Sequence, residues 1–119
     1  MSDTAPLEDI ESNVPEVIRR YLGAHDRRAT DVALSTFAAD ATVVDDGHEY
    51  VGSKEIRHWV ATASTEFTYT RTFLEATAID PNTWLITNHL EGDFPGGVVD
   101  LGYRFVLRRD LISELVIAP

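Results

Sequence analysis

The sequence predicts an α+β domain in which helices pack on one face of a curved, mainly antiparallel β-sheet. Two features of the chain predict this class. Its first half carries apolar residues at helical spacing around one short β-hairpin, and from Glu66 onward it alternates like successive β-strands separated by turns. The length of 119 residues, 44% of them hydrophobic, suits one domain with one core, which we place at residues 13–119.

The first two predicted helices follow an acidic N-terminal arm at residues 1–12. Asn13 is predicted to cap the first helix, and Pro15 fits its first turn. A second, shorter helix is predicted from Thr30 to Phe37, with Thr30 as its N-cap. The first helix carries apolar and aromatic residues on one face at spacings of three and four: Val14, Val17, Ile18, Tyr21, Leu22 and His25.

A β-hairpin and a third helix come next. Residues 41–45 predict a strand, Asp46-Gly47 a tight turn, and residues 49–51 a short return strand. Ser53 is predicted to cap the third helix. That helix has an apolar stripe made of Ile56, Trp59, Val60 and Ala63.

The remaining chain predicts a β-meander with turns at residues 80–83, 94–97 and 108–110. Taking Pro95-Gly96 as a two-residue loop predicts that Leu90 pairs with Leu101 and Asn88 with Tyr103. One face of this hairpin is then apolar except for Asn88, which lies beside the Tyr103 hydroxyl. The other face carries Thr87, His89, Glu91, Asp100 and Arg104.

Composition excludes several classes of function. The chain has 10 basic and 20 acidic residues, a formal net charge of −10, so it repels nucleic acids and anionic membranes. It has no cysteine, which excludes disulfides, thiolate metal sites and cysteine nucleophiles. Its first residues lack a signal-peptide pattern, and no apolar run approaches the roughly 20 residues that span a bilayer. We therefore expect a cytoplasmic protein.

No motif calls for a metal or an organic cofactor. Residues 45–49 include Asp45, Asp46, His48 and Glu49, but strand alternation sends neighbouring side chains to opposite faces, so a solvated acidic turn is favoured over a metal site. Residues 47–54 are similar to a phosphate-binding P-loop, but Ser53 precedes Lys54, whereas the P-loop motif has Lys before Ser or Thr.

Two segments of the chain carry a recognisable pattern: residues 37–47 read FAADATVVDDG and residues 50–59 read YVGSKEIRHW. They resemble the nuclear transport factor 2-like superfamily, and within it the SnoaL-like and ketosteroid-isomerase-like proteins. The first segment is similar to the family's "F-A-D-D-A-x-x-x-D" pattern, and the second to the following "Y-x-G" and "I-R-x-W" elements. The resemblance extends over about residues 14–118 and implies a cone-shaped α+β barrel that encloses an apolar pocket.

The resemblance also implies site residues. Asp45 falls where ketosteroid isomerases carry their general base, and Tyr21 falls where they carry an oxyanion-hole tyrosine. The carboxylic acid that those enzymes add to the oxyanion hole corresponds here to Leu101, so Asn88, Tyr103 or His25 is left as the second donor. We expect pocket or core positions for these three residues and for Phe37, Trp59, Leu101 and Phe105.

The resulting hypothesis is a cofactor-independent SnoaL-like enzyme that acts by general acid/base chemistry on a small hydrophobic carbonyl compound, as an isomerase, cyclase or dehydratase. A non-catalytic ligand-binding or dimerisation module of the same fold is the first alternative. Epoxide hydrolysis is the second; it would need Arg104 and Asp100 inside the pocket. The resemblance further implies a homodimer through the outer face of the sheet.

Overall fold

The computed structural model describes residues 13–119, apart from the side chains of residues 64 and 65, and the predicted arm at residues 1–12 lies outside this range. The described residues form three helices and six strands in an α+β arrangement. The helices are α1 (Glu16–Asp26), α2 (Thr30–Ser35) and α3 (Gly52–Glu66). The strands are β1 (Phe37–Asp45), β2 (His48–Val51), β3 (Tyr69–Asp80), β4 (Thr83–Gly92), β5 (Val98–Arg108) and β6 (Leu111–Ala118).

All six strands belong to one sheet, in the order β2-β1-β6-β5-β4-β3. Strands β1 and β6 pair in parallel and the other neighbours are antiparallel, so the prediction of a mainly antiparallel sheet is confirmed. The sheet does not close into a barrel, because β2 and β3 lie at its two edges and do not pair with each other. The expectation of a barrel therefore needs this correction: the architecture is an open sheet with helices against it.

The helix starts differ from the predicted caps. Pro15, not Asn13, is the N-cap of α1, and its carbonyl accepts hydrogen bonds from the Ile18 and Arg19 amides at 3.0 and 3.2 Å. Ala29, not Thr30, precedes α2 as its N-cap. Val51, not Ser53, is the N-cap of α3, and its amide donates to Glu55 Oε1 at 2.9 Å. The predicted serine cap is therefore wrong: no side chain of the described residues caps the first-turn amides of α3, and Glu55 binds the amide of the N-cap residue instead.

Helix α2 ends at Ser35, whereas Phe37, which we predicted to be helical, begins β1. The cause is a partner that lies far away in the sequence. The Ile112 amide of β6 donates to the Thr36 carbonyl at 2.8 Å, and Phe37 pairs with Ile112 in the parallel ladder. Tertiary pairing overrides local helical spacing at this point.

The β4–β5 hairpin has a register two residues away from the predicted one: Asn88 pairs with Leu101, and Leu90 with Val99. The reason is a longer loop than Pro95-Gly96 alone. The Gly92 amide donates to the Gly97 carbonyl at 2.9 Å, which leaves residues 93–96 in the loop, and Gly96 and Gly97 supply the positive φ angles of 90° and 75°. A shift of two keeps every side chain on its predicted face.

The inner face of this hairpin packs toward the helices and is mostly buried; it comprises Trp84, Ile86, Asn88, Leu90, Leu101, Tyr103 and Phe105. The outer face is more exposed and comprises Leu85, Thr87, His89, Glu91, Asp100, Gly102 and Arg104. On the helical side, Ile56, Trp59 and Val60 of the predicted stripe are buried in the same core. The core therefore lies between the helices and the inner face, and the site described next opens beside it.

Candidate active site

A cavity of about 520 Å³ lies between α1, α3 and the inner face of the sheet. Six of the nine residues that we expected at a pocket contribute to its wall: Tyr21, His25, Asp45, Trp59, Leu101 and Tyr103. Phe37 and Phe105 lie in the hydrophobic core instead, where they pack on the Tyr21 ring, and Asn88 is fully buried. The remaining wall is mostly apolar and includes Phe67, Leu90, Phe94, Val98, Val99 and Ile117, with Asp46, Glu66 and Tyr69 as its further polar members.

Asp45 is the last residue of β1 and brings a carboxylate to this cavity. It pairs with His48 on one side and with Ile117 on the other, so two neighbouring strands hold its backbone. Its Oδ2 accepts a hydrogen bond from the indole Nε1–H of Trp59 at 3.0 Å. This bond gives the carboxylate a defined orientation on a wall that is otherwise mainly hydrophobic.

Tyr21 is fully buried, and its hydroxyl has no hydrogen-bond partner among the described residues. Its ring is enclosed by aromatic neighbours: it stacks on Trp59 at 6.4 Å and meets the edges of Phe37 and Phe105 at 5.4 and 5.8 Å. Burial raises the pKa of Tyr21 well above its ordinary value. The phenol is therefore a rigid, protonated donor without an acceptor from the protein.

His25 follows Tyr21 by one helical turn, with ring centroids 5.9 Å apart. Its Nε2 is hydrogen-bonded to the hydroxyl of Tyr69, the first residue of β3, while its Nδ1 is buried without a partner in the described residues. Burial lowers the pKa of His25 below 6.5 and raises the pKa of Tyr69 to about 12. Both rings are consequently neutral at pH 7.

Asn88 is held by charged residues that the sequence reasoning missed. Its Oδ1 accepts a hydrogen bond from Arg71 Nη1 at 2.9 Å, and Arg71 forms a two-pronged pair with Asp26 at 3.0 and 2.7 Å. The predicted pairing of Asn88 with Tyr103 is wrong, because Asn88 pairs with Leu101 and its Nδ2 has no hydrogen-bond partner among the described residues. The alternation Tyr69-x-Arg71-x-Phe73 along β3 would have indicated that Arg71 faces inward.

Solved structures show what this architecture is similar to. A putative polyketide cyclase from Sinorhizobium meliloti is 32% identical, with a TM-score of 0.84 over 90% of this chain and 97% of that one. An NTF2-like protein from Cytophaga hutchinsonii is 10% identical, with a TM-score of 0.70 over 99% and 93%. A ketosteroid-isomerase-like protein from Catenulispora acidiphila, in complex with trimethylamine, is 20% identical, with a TM-score of 0.77 over 88% and 85%.

The chain belongs to the nuclear transport factor 2-like (SnoaL-like) superfamily. The identity to the Sinorhizobium protein over nearly its whole length shows the family, and the two more distant structures show the shared fold. No protein-family model matches the chain, and no curated protein is significantly similar to it.

In this nuclear transport factor 2-like protein, Leu101 lies at the cavity wall, whereas its neighbour Asp100 is exposed on the outer face and bonds His89 Nδ1 at 2.5 Å. Arg104 is also exposed on that face, where it pairs with Glu114 at 3.1 Å. Arg104 and Asp100 therefore do not reach the cavity, so the arrangement that epoxide hydrolysis would require of them is absent.

A second cavity of about 320 Å³ adjoins the first. His25, Phe67 and Tyr69 contribute to the walls of both cavities, so the His25–Tyr69 hydrogen bond lies where the two spaces meet. The other residues around this smaller cavity are Asp26, Arg28, Thr70 and Arg71.

Within residues 13–119, no group of three or more His, Asp or Glu side chains could hold a metal ion. No helix in the same range is long and apolar enough to cross a membrane.

Proposed function

We propose that this protein is a SnoaL-like enzyme that removes a proton next to the carbonyl of a small hydrophobic compound, with Asp45 as the general base and Tyr21 as an oxyanion donor. One observation supports this most directly: a carboxylate and a buried phenol without an acceptor among the described residues belong to the same, largely apolar cavity. Such surroundings strengthen a hydrogen bond from the phenol to a developing oxyanion relative to water.

The proposed step conserves atoms and charge. The Asp45 carboxylate takes a proton from the carbon next to the carbonyl, and the electron pair of that C–H bond moves to the carbonyl oxygen to form an enolate. The Tyr21 hydroxyl donates a hydrogen bond to this oxygen without losing its proton, because burial raises the pKa of Tyr21. Asp45 then returns the proton to another carbon. In the cyclisation, the enolate carbon instead attacks a second carbonyl of the same molecule, and Asp45 returns its proton to the resulting alkoxide.

The geometry supports a compact apolar substrate. A cavity of about 520 Å³ lies within the range of ordinary small-ligand sites. The similarity to a putative polyketide cyclase supports cyclisation as well as isomerisation or dehydration, since all three begin with an enolate. The proposed proton transfers call for neither a metal nor an organic cofactor.

Solvent exchange tests the proposal without knowledge of the natural substrate. Small alicyclic and aryl ketones are incubated with the protein in D₂O, and deuterium at the carbon next to the carbonyl is measured by NMR. We expect catalysed exchange by the wild type and about 10²- to 10⁴-fold slower exchange by Asp45→Asn. Asp100→Asn is the matched control, because it removes a carboxylate from the outer face and is expected to exchange at the wild-type rate.

An unchanged rate in Asp45→Asn would remove this carboxylate from the mechanism. The alternative function, a non-catalytic binding module, is favoured by one observation: the Tyr21 hydroxyl is buried, so a ligand reaches it only after some local adjustment. Binding of the ketones without any catalysed exchange would support that alternative. The Catenulispora relative, which was solved in complex with trimethylamine, shows that the fold accommodates small ligands.

We also propose a homodimer through the outer face. This face combines the partly buried Leu85 and Thr87 with the Arg104–Glu114 ion pair, which suits an interface with an apolar centre and a charged rim. Sedimentation velocity tests the proposal: Thr87→Arg should convert a dimer to a monomer, whereas Arg57→Glu on α3 should not. A wild-type monomer at tens of micromolar would rule the dimer out.

A further inference from the structure

Besides the Tyr21 phenol, the cavity wall contains another buried polar group without a hydrogen-bond partner among the described residues. Three buried side-chain atoms of the described residues have no hydrogen-bond partner: Tyr21 Oη, His25 Nδ1 and Asn88 Nδ2. An unsatisfied buried polar group costs about 1–3 kcal/mol, so folded proteins rarely keep such groups without a reason. Two of the three, Tyr21 and His25, stand one turn apart on α1 and contribute to the wall of the same cavity.

The contact with Tyr69 determines which nitrogen of His25 carries the proton. A phenol O–H is a better donor than an imidazole N–H, and an imidazole nitrogen is a better acceptor than a phenol oxygen. With both rings neutral, the Tyr69 hydroxyl therefore donates to His25 Nε2. The single proton of the imidazole is then on Nδ1, the nitrogen without a protein partner.

We propose that His25 is the second oxyanion donor of this site, through Nδ1–H, and that Tyr69 is a positioning residue that holds the imidazole in this tautomer. The proposal rests on the proposed function, because it identifies the group that joins Tyr21 at the enolate oxygen. It also identifies the class of ligand. We expect an apolar molecule with one hydrogen-bond acceptor, a ketone or enolate oxygen, that accepts from Tyr21 and His25 of α1.

The other two possible donors fit less well. Asn88 lies in the core and is held by the Arg71–Asp26 pair rather than by a cavity wall. Tyr103 does belong to the cavity wall, but it lies on β5 rather than on the helix face that carries Tyr21. His25 shares a helix face with Tyr21 and has its orientation set by a second residue.

The tautomer is measured directly by long-range ¹H–¹⁵N NMR of the histidine rings at pH 7.5. We expect a pyrrole-type signal for Nδ1 of His25 and a pyridine-type signal for Nε2. Addition of 2-naphthol, a planar apolar phenol whose oxygen imitates an enolate, should shift the Nδ1 signal of His25 and leave that of exposed His48 unchanged. The opposite tautomer, or an Nδ1 signal unaffected by saturating 2-naphthol, would overturn the proposal.

Variants distinguish the role of His25 as hydrogen-bond donor from the role of Tyr69 as positioning residue. In the ketone exchange assay, we expect His25→Leu to lower kcat on the order of 10²-fold, with little change in KM. We expect Tyr69→Phe to lower kcat on the order of tenfold and to mix the two tautomers in the NMR spectrum. The matched control is Tyr50→Phe, which removes a hydroxyl from a tyrosine that packs on Trp59 and does not touch His25.

The two proposals fail in different ways. If Asp45→Asn exchanges normally while 2-naphthol still shifts His25 Nδ1, the general base is wrong and the donor site stands. If Asp45→Asn is inactive while Tyr69→Phe keeps the wild-type rate and a single tautomer, the base stands and the role of Tyr69 is wrong.

Discussion

Histidines on the two sides of the sheet differ in whether both ring nitrogens have hydrogen-bond partners. On the outer face, His89 bonds Asp100 at 2.5 Å and lies 3.3 Å from Glu91, so both ring nitrogens have partners next to solvent. On the cavity side, His25 of α1 has one partner, Tyr69, and one buried nitrogen without any. A histidine thus has partners for both ring nitrogens on the face next to solvent, but for only one of them, among the described residues, on the buried side.

This difference separates structural polar groups from those available to a ligand. Exposed ion pairs such as Arg104–Glu114 contribute little to stability, because water competes with them. Buried donors without acceptors cost stability, and a ligand acceptor can offset that cost when it binds. We therefore propose that function lies on the cavity side and assembly on the outer face, and three predictions test this division.

Among these three predictions, the largest expected effect is that of Tyr21→Phe. Loss of the phenol donor should slow ketone exchange about 10²-fold. The free energy of unfolding should stay the same or rise by about 1 kcal/mol, because the change removes a buried hydroxyl that has no partner. Exchange kinetics and urea unfolding measure the two effects, and Thr87→Val on the outer face is the control. A destabilised but fully active variant would contradict our assignment.

The next effect compares two arginines. Arg71→Met should lower the free energy of unfolding by about 2–3 kcal/mol, since it leaves the buried Asn88 oxygen without its donor and Asp26 without its partner. Arg104→Met, which breaks a half-exposed pair, should cost less than about 1 kcal/mol. Urea denaturation of both variants is the measurement. Equal losses of unfolding free energy in the two variants would show that burial does not make the contacts of Arg71 more stabilising than the exposed pair of Arg104.

The smallest effect is the pH dependence of the two histidines. Burial lowers the pKa of His25, so its contribution to stability is present above pH 6.5 and is lost as the pH falls through its folded-state value. Hydrogen bonds that the His89 ring donates to the Asp100 and Glu91 carboxylates raise the pKa of His89, so its contribution is present below pH 6.5 and is lost as the pH rises through the folded-state value.

An NMR titration of the histidine rings tests both directions at once. His25 should titrate below 6.5 and His89 above it, and Asp100→Asn should lower only the pKa of His89. Two histidines with the same pKa would mean that the two faces do not differ electrostatically in the way described here.

Local patterns predicted much of the fold, with errors where distant partners decide. The face of each hairpin residue was predicted correctly because alternation is a local property, whereas the pairing was wrong by two residues because loop closure depends on Gly92 and Gly97. Phe37 was predicted to be helical because its strand partner, Ile112, is 75 positions away in the chain. Arg71 was missed because its partners, Asp26 and Asn88, lie on two other elements.

The sequence alone determined the α+β class, the helical stripe containing Tyr21 and His25, and the position of Asp45 at the end of a strand, since periodicity and turn residues act over a few neighbours. Only the tertiary structure decided that Trp59 orients Asp45, that Tyr69 meets His25, and that the sheet stays open. Those contacts join residues 14 to 44 positions apart, and hydrogen bonds at such separations depend on packing that no local pattern encodes.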